Sequence, residues 1–97
     1  MKSLEEIRVV LSAYKEELAR KYSVSQMGVF GSYSRGQQKE TSDIDILVQF
    51  SQSIGLLKFL ELEYFLSGLL GAKVDLVTRS ALKPYIGQRI LQEVVYL

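Results

Sequence analysis

Apolar positions along the chain follow two rhythms. Near the start, Leu4, Ile7, Val10, Leu11, Tyr14 and Leu18 recur three or four apart, which predicts an amphipathic helix over residues 3–21 with its charged residues facing water. Ser3 followed by Glu6 gives that helix a capping-box start. Residues 27–31, Met-Gly-Val-Phe-Gly, read as a short buried strand ending at a glycine. The stretch 32–41 is polar and holds Gly36, so it predicts a turn or short helix and then a loop. Over 43–50 the period becomes two, with Ile44, Ile46 and Val48 on one face and Asp43, Asp45 and Leu47 on the other. A second helix is predicted over 55–70, where Leu56, Phe59, Leu60, Leu62, Glu63 and Leu66 are mixed around the axis and Gly71 suits a C-terminal cap. A third strand follows at 73–78, with Val74 and Leu76 on one face and Asp75 and Val77 on the other. Ser80 is placed to cap a last helix with Pro84 in its first turn, and Gly87 weakens the middle of that helix enough to break it. Val94, Val95, Tyr96 and Leu97 end the chain as an apolar run suited to an edge strand or a partner contact. The expected class is α/β (α+β), a small mixed sheet of three to four strands with helices packed on it.

Length and composition narrow this picture. The chain has 97 residues, which predicts a single domain over 1–97. It has no cysteine and no histidine, so thiolate zinc sites, disulfides, cysteine nucleophiles and Ser-His-Asp triads are excluded. Any bound metal must be held by oxygen, which favours Mg²⁺, Mn²⁺ or Ca²⁺. Net charge is +1, short of the basic excess that a duplex-DNA binder shows; nucleic acid is not the expected direct ligand. Acidic residues stand where a signal peptide would be apolar, and no stretch reaches the ~20 apolar residues of a membrane span. A cytoplasmic location without membrane contact is the expectation.

The chemistry concentrates at Asp43 and Asp45. Two apart on a strand, their carboxylates lie on one face, and Ile44 and Ile46 anchor that strand in the core. Two such charges ~4 Å apart repel by roughly 4 kcal/mol at an effective dielectric of 20. Wider spacing weakens the repulsion without changing its sign, and a divalent cation removes it. Gly31-Ser32, at the end of the preceding strand, offers close backbone approach to a phosphate and a hydroxyl donor. Asp75 reaches the same face if its strand lies beside the others, where it can complete a metal site and take a proton from an attacking hydroxyl. The bland readings are equally concrete. Gly31 can simply end a strand, Ser32 can cap a short helix, Arg35 can pair with a nearby aspartate, and Ser42 can be a turn residue.

Together, Phe30-Gly31-Ser32-Tyr33-Ser34-Arg35-Gly36, Ser42-Asp43-Ile44-Asp45-Ile46-Leu47-Val48 and Val74-Asp75-Leu76-Val77-Thr78 resemble the minimal nucleotidyltransferases of the DNA polymerase β superfamily. The resemblance implies Mg²⁺-dependent transfer of a nucleoside monophosphate, AMP from ATP, to a hydroxyl. Asp43, Asp45 and Asp75 would hold two Mg²⁺ ions, and Asp75 would also serve as base. Gly31 and Ser32 would hold the triphosphate, and Arg35 and Ser42 match further motif positions. It also implies an antitoxin paired with a HEPN ribonuclease toxin, whose tyrosine would accept AMP. The helical domain that grips base and acceptor in larger members is absent here, so recognition would fall to short loops, a second copy or the partner. Two other functions fit the residues. One is a non-catalytic module that binds the toxin through the mixed second helix and the apolar C-terminus; the other is a transferase acting on RNA. Homo- and hetero-oligomers are both compatible with the sequence.

Overall fold

The computed structural model describes residues 3–82 and 84–97. Ser3 caps the first helix, α1 (Leu4–Ala13), its hydroxyl accepting from the Glu6 N–H at 3.1 Å. The single helix expected over 3–21 is two. α1 stops at Tyr14, whose backbone leaves helical geometry, and α2 (Lys15–Tyr22) starts there. Neither Pro nor Gly causes the break. Ser12 and Tyr14 are weaker helix formers than the residues around them, and Tyr14 sets its ring edge-on to Phe65, 6.0 Å between centroids.

Strand β1 (Val24–Phe30) begins earlier than the apolar run suggests, because its first residues are exposed and carry no buried alternation. β2 (Ile44–Phe50) and β3 (Val74–Thr78) fall where the period-two pattern puts them, and α3 (Leu56–Leu70) ends at left-handed Gly71 as expected. Ser80 does not cap the last helix. It lies inside a short 3-10 turn, Arg79–Ala81, and α4 (Pro84–Glu93) starts beyond it. Gly87 does not break α4 either: it is buried, and a Cβ there would stand 3.0 Å from Leu82 Cβ. The close approach to Leu82 offsets the glycine's helix penalty. The terminal apolar run supplies β4 (Val95–Tyr96).

The sheet order is β3-β2-β1-β4. β1 runs antiparallel to β2 and β4, and β2 runs parallel to β3, so the sheet is mixed. Its core face, Met27, Val29, Ile44, Ile46, Val48, Val74 and Leu76, clusters with Ile7, Leu11, Leu18, Tyr22, Leu62, Leu66 and Leu70 from α1, α2 and α3. Asp45 and Asp75 therefore project from the opposite face. That face is not wholly wet: Phe30 and Leu47 are buried there, outside the main cluster.

Candidate active site

Three segments converge on the carboxylate face. Asp45 is the register partner of Phe30 across β1–β2 and of Asp75 across β2–β3. Asp43 sits just ahead of β2, two residues from Asp45. Beyond Phe30 the chain turns sharply at Gly31, whose φ is +74°. This conformation favours glycine, and a second reason adds to it: a Cβ on Gly31 would push against the Asp45 carboxylate, with Asp45 Cγ only 3.1 Å away. The Asp45 carboxylate thus occupies space that only a glycine at 31 leaves open. The turn that follows is closed by the Arg35 N–H donating to Gly31 O (3.2 Å) and the Gln37 N–H donating to Ser32 O (2.8 Å).

The electrostatics centre on Asp45. Burial first, then the charges of Asp75 and Asp43, push its carboxyl up from the ordinary 3.8 to about 6; Arg35 pulls the other way and Glu93 adds to the rise. Asp43 and Asp75 are exposed. Lys73 stands 3.8 Å from Asp43 with its own side chain 78% exposed, so this pair is loose and solvated.

The donor set is all oxygen, on adjacent strands, and one member is already strained by its like-charged neighbours. This chemistry fits a hard divalent cation such as Mg²⁺. Among the described residues, no three acidic side chains are drawn together into a closed ligand group. An open arrangement suits Mg²⁺, which keeps water and phosphate oxygens among its ligands instead of taking an all-protein cage.

The other expected residues divide. Ser32 is half-buried at the head of the turn, and among the described residues its hydroxyl carries no hydrogen bond. Ser42 accepts from the Lys39 N–H at 2.8 Å and its own N–H donates to Lys39 O at 2.9 Å, so it closes a turn and points to no ligand. Arg35 pairs with neither Asp43 nor Asp45. Its Nη1 donates to Glu93 Oε2 at 2.9 Å and its Nε to Gln37 Oε1 at 3.1 Å. Glu93 Oε1 accepts from the Gly31 N–H at 3.1 Å, so that amide is engaged by the protein. Sequence reading passed over Glu93 because it lies 62 positions from Gly31. One signal did exist: an acidic residue in the last turn of a helix opposes the helix dipole and needs a partner elsewhere.

The family described as Nucleotidyltransferase domain matches residues 11–97. The chain belongs to the nucleotidyltransferase family. The protein adenylyltransferase MntA of Thermococcus cleftensis is 54% identical over 97 residues, spanning 100% of this chain and 98% of that one. A solved structure provisionally described as a minimal nucleotidyltransferase superposes with a TM-score of 0.84 at 36% identity, over 99% of this chain and 97% of that chain. A crystal structure of a toxin–antitoxin with AMP-PNP includes a chain 28% identical to this one, with a TM-score of 0.71, over 87% of this chain and 69% of that chain. This nucleotidyltransferase has the minimal, polymerase β-like form of the fold.

Proposed function

We propose that this nucleotidyltransferase moves AMP from ATP to a hydroxyl of a protein partner, a HEPN-type toxin, and so acts as its antitoxin. The observation that carries the reading is the juxtaposition of Asp45 with Asp75 across β2–β3 beside the Gly31-Ser32 turn. The 54% identical MntA is named a protein adenylyltransferase, and the toxin–antitoxin neighbour was crystallised with AMP-PNP; both support ATP as donor and a protein as acceptor. Asp43, Asp45 and Asp75 would hold Mg²⁺, which supplies charge neutralisation at the phosphates. Ser32 would meet the triphosphate. The acceptor oxygen attacks the α-phosphorus, the bond to the β-phosphate bridging oxygen breaks, and pyrophosphate leaves. The hydroxyl proton passes to a carboxylate; Asp75, exposed on the strand beside Asp45, would take it.

The test is transfer of label from α-phosphate-labelled ATP, with purified protein, Mg²⁺ and a HEPN-type toxin from the same cell. Label on the toxin that is protease-sensitive and lost with EDTA is the expected result. Asp43→Asn is expected to reduce transfer by at least 10²-fold. Undiminished transfer by that variant would remove Asp43 from the site, and label on RNA would move the function to nucleic acid.

A second reading has its own observation. Leu56, Leu57, Leu60 and Tyr64 on α3 are 72%, 84%, 47% and 83% exposed, an apolar stripe suited to docking the same toxin. Neutralisation by a folded Asp43→Asn/Asp45→Asn variant would favour binding over catalysis.

A further inference from the structure

Glu93 ends α4, and only Val94 separates it from the edge strand β4. Its carboxylate forks. One oxygen takes the Gly31 N–H at 3.1 Å and the other takes Arg35 Nη1 at 2.9 Å. Those two residues bracket the turn that carries Ser32. The Arg35 arm is partly exposed, but the root of the fork is tied: β4 pairs with β1 at Gly28–Tyr96 and Val29–Val95, and the Leu97 N–H donates to Met27 O at 3.0 Å. The backbone just past Glu93 is therefore tied to the strand that ends at the turn. Arg35 is held at a second point by Gln37. Charge-assisted bonds of this kind are stronger and more directional than neutral ones.

We infer that Glu93 is a positioning residue of the transfer site: it fixes the Gly31 amide and the Arg35 guanidinium, and so sets the turn that presents Ser32 to the triphosphate. Two consequences follow from the geometry. The Gly31 amide belongs to the scaffold, leaving the Ser32 N–H and hydroxyl as the donors of the turn. Glu93 also holds in place the guanidinium whose charge acts on the half-buried Asp45 carboxylate. The role assigned to the turn rests on the proposed nucleotide site; the brace itself rests on the two hydrogen bonds.

The test compares Glu93→Ala and Glu93→Gln with the parent protein. Gln keeps a carbonyl oxygen for the Gly31 N–H but turns an NH₂ group toward Arg35, so the two variants separate the halves of the fork. Three readouts are taken: amide exchange at Gly31 by NMR, affinity for a fluorescent ATP analogue with Mg²⁺, and kcat and KM for transfer. Glu93→Ala is expected to speed Gly31 exchange at least tenfold and to weaken nucleotide binding and raise KM about tenfold, with kcat changed less than threefold. Glu93→Gln is expected to keep Gly31 protected and to weaken nucleotide binding about threefold. Adding Arg35→Ala to Glu93→Ala should weaken binding no further. Unchanged binding and Gly31 exchange in a folded Glu93→Ala protein overturn the proposal, as does loss of kcat at unchanged KM. Should Glu93→Ala fail to fold, Glu93→Gln decides by nucleotide affinity and KM: weakening of about threefold supports the proposal, and unchanged values overturn it. A parent protein that binds the analogue but labels no protein refutes the acceptor reading and leaves the brace to be judged on binding and exchange. A parent protein that binds no nucleotide refutes both.

Discussion

Asp45 is held where ionisation is unfavourable. Burial and the neighbouring Asp75 and Asp43 raise its carboxyl from 3.8 to about 6. The folded protein therefore holds this proton more tightly than the unfolded chain does. Stability contributed by the proton is complete at low pH and is lost as pH rises from about 4 to 6. Asp45→Asn removes that loss. Without metal or nucleotide, the variant is expected to melt with the parent protein near pH 4 and above it at pH 7.5. Solvent screening at a half-buried group limits the gain to about 1 kcal/mol, roughly 4–8 °C in Tm for a domain of this size. Transfer should vanish in the same variant, the exchange of stability for function that strained sites display. Thermal melts by circular dichroism at the two pH values decide it; equal Tm at pH 7.5 would mean that the Asp45 carboxylate is as well hydrated as in the unfolded chain.

At the scale of elements, the placement of Asp75 depends on α3. β3 is an edge strand, and the outward N–H groups of Val74 and Leu76 flank Asp75. The first donates to Ser67 Oγ at 3.0 Å and the second to Glu63 Oε2 at 2.9 Å. Helix α3 thus satisfies the open edge of the sheet, which would otherwise be free to pair with another chain. Ser67 in turn donates to the backbone Glu63 O at 2.9 Å, which orients its oxygen toward the Val74 N–H. Glu63→Ala leaves the part-buried Leu76 N–H without its charged acceptor and is expected to destabilise the protein by about 1–3 kcal/mol, measured by urea unfolding. Glu63→Gln should recover more than half of that loss. A Glu63→Ala protein as stable as its parent would show that water replaces the carboxylate there.

Which parts of this architecture were legible follows from the range of the interaction that fixes each. β2 and β3 are set by local periodicity, with Ile44, Ile46, Val74 and Leu76 buried as their spacing requires, while α3 was marked by its length of apolar sequence and its Gly71 end. The Asp43-Asp45 pair and Asp75 were readable for the same reason, since a strand pattern states which face each occupies. The break at Tyr14 was hidden because no Pro or Gly marks it and the ring contact that Tyr14 makes there is with Phe65, far along the chain. Leu47 was expected on a polar face and is buried, because coverage of the second sheet face has no local signature. Glu63 was seen only as one position of a mixed helix, and its role exists only once β3 lies alongside. Glu93 likewise acquires meaning only through the pairing of β4 with β1.

For the whole molecule, the decisive fact is which side each feature occupies. The molecule is thin, 32 × 31 × 19 Å, with α1, α2 and α3 on one face of the sheet and the carboxylates on the other. Leu57 and Tyr64, the most exposed apolar residues of α3, therefore look away from Asp45 and Asp75. A toxin molecule docked on that stripe cannot, without wrapping around the sheet, also insert its hydroxyl beside Asp75. Docking and transfer should separate experimentally. Leu57→Asp/Tyr64→Asp removes apolar contact area and adds charge to solvent-facing positions, so Tm and affinity for the ATP analogue should stay within about 0.5 kcal/mol of the parent. Association with the toxin, followed by analytical ultracentrifugation, should weaken at least tenfold if the stripe is the docking surface. Transfer to toxin supplied well above its dissociation constant should persist, because the carboxylate face is untouched. Undiminished association would assign the toxin contact to the carboxylate face, where binding and chemistry would then be one event; loss of transfer at saturating toxin would show that the stripe orients the acceptor as well as holding it.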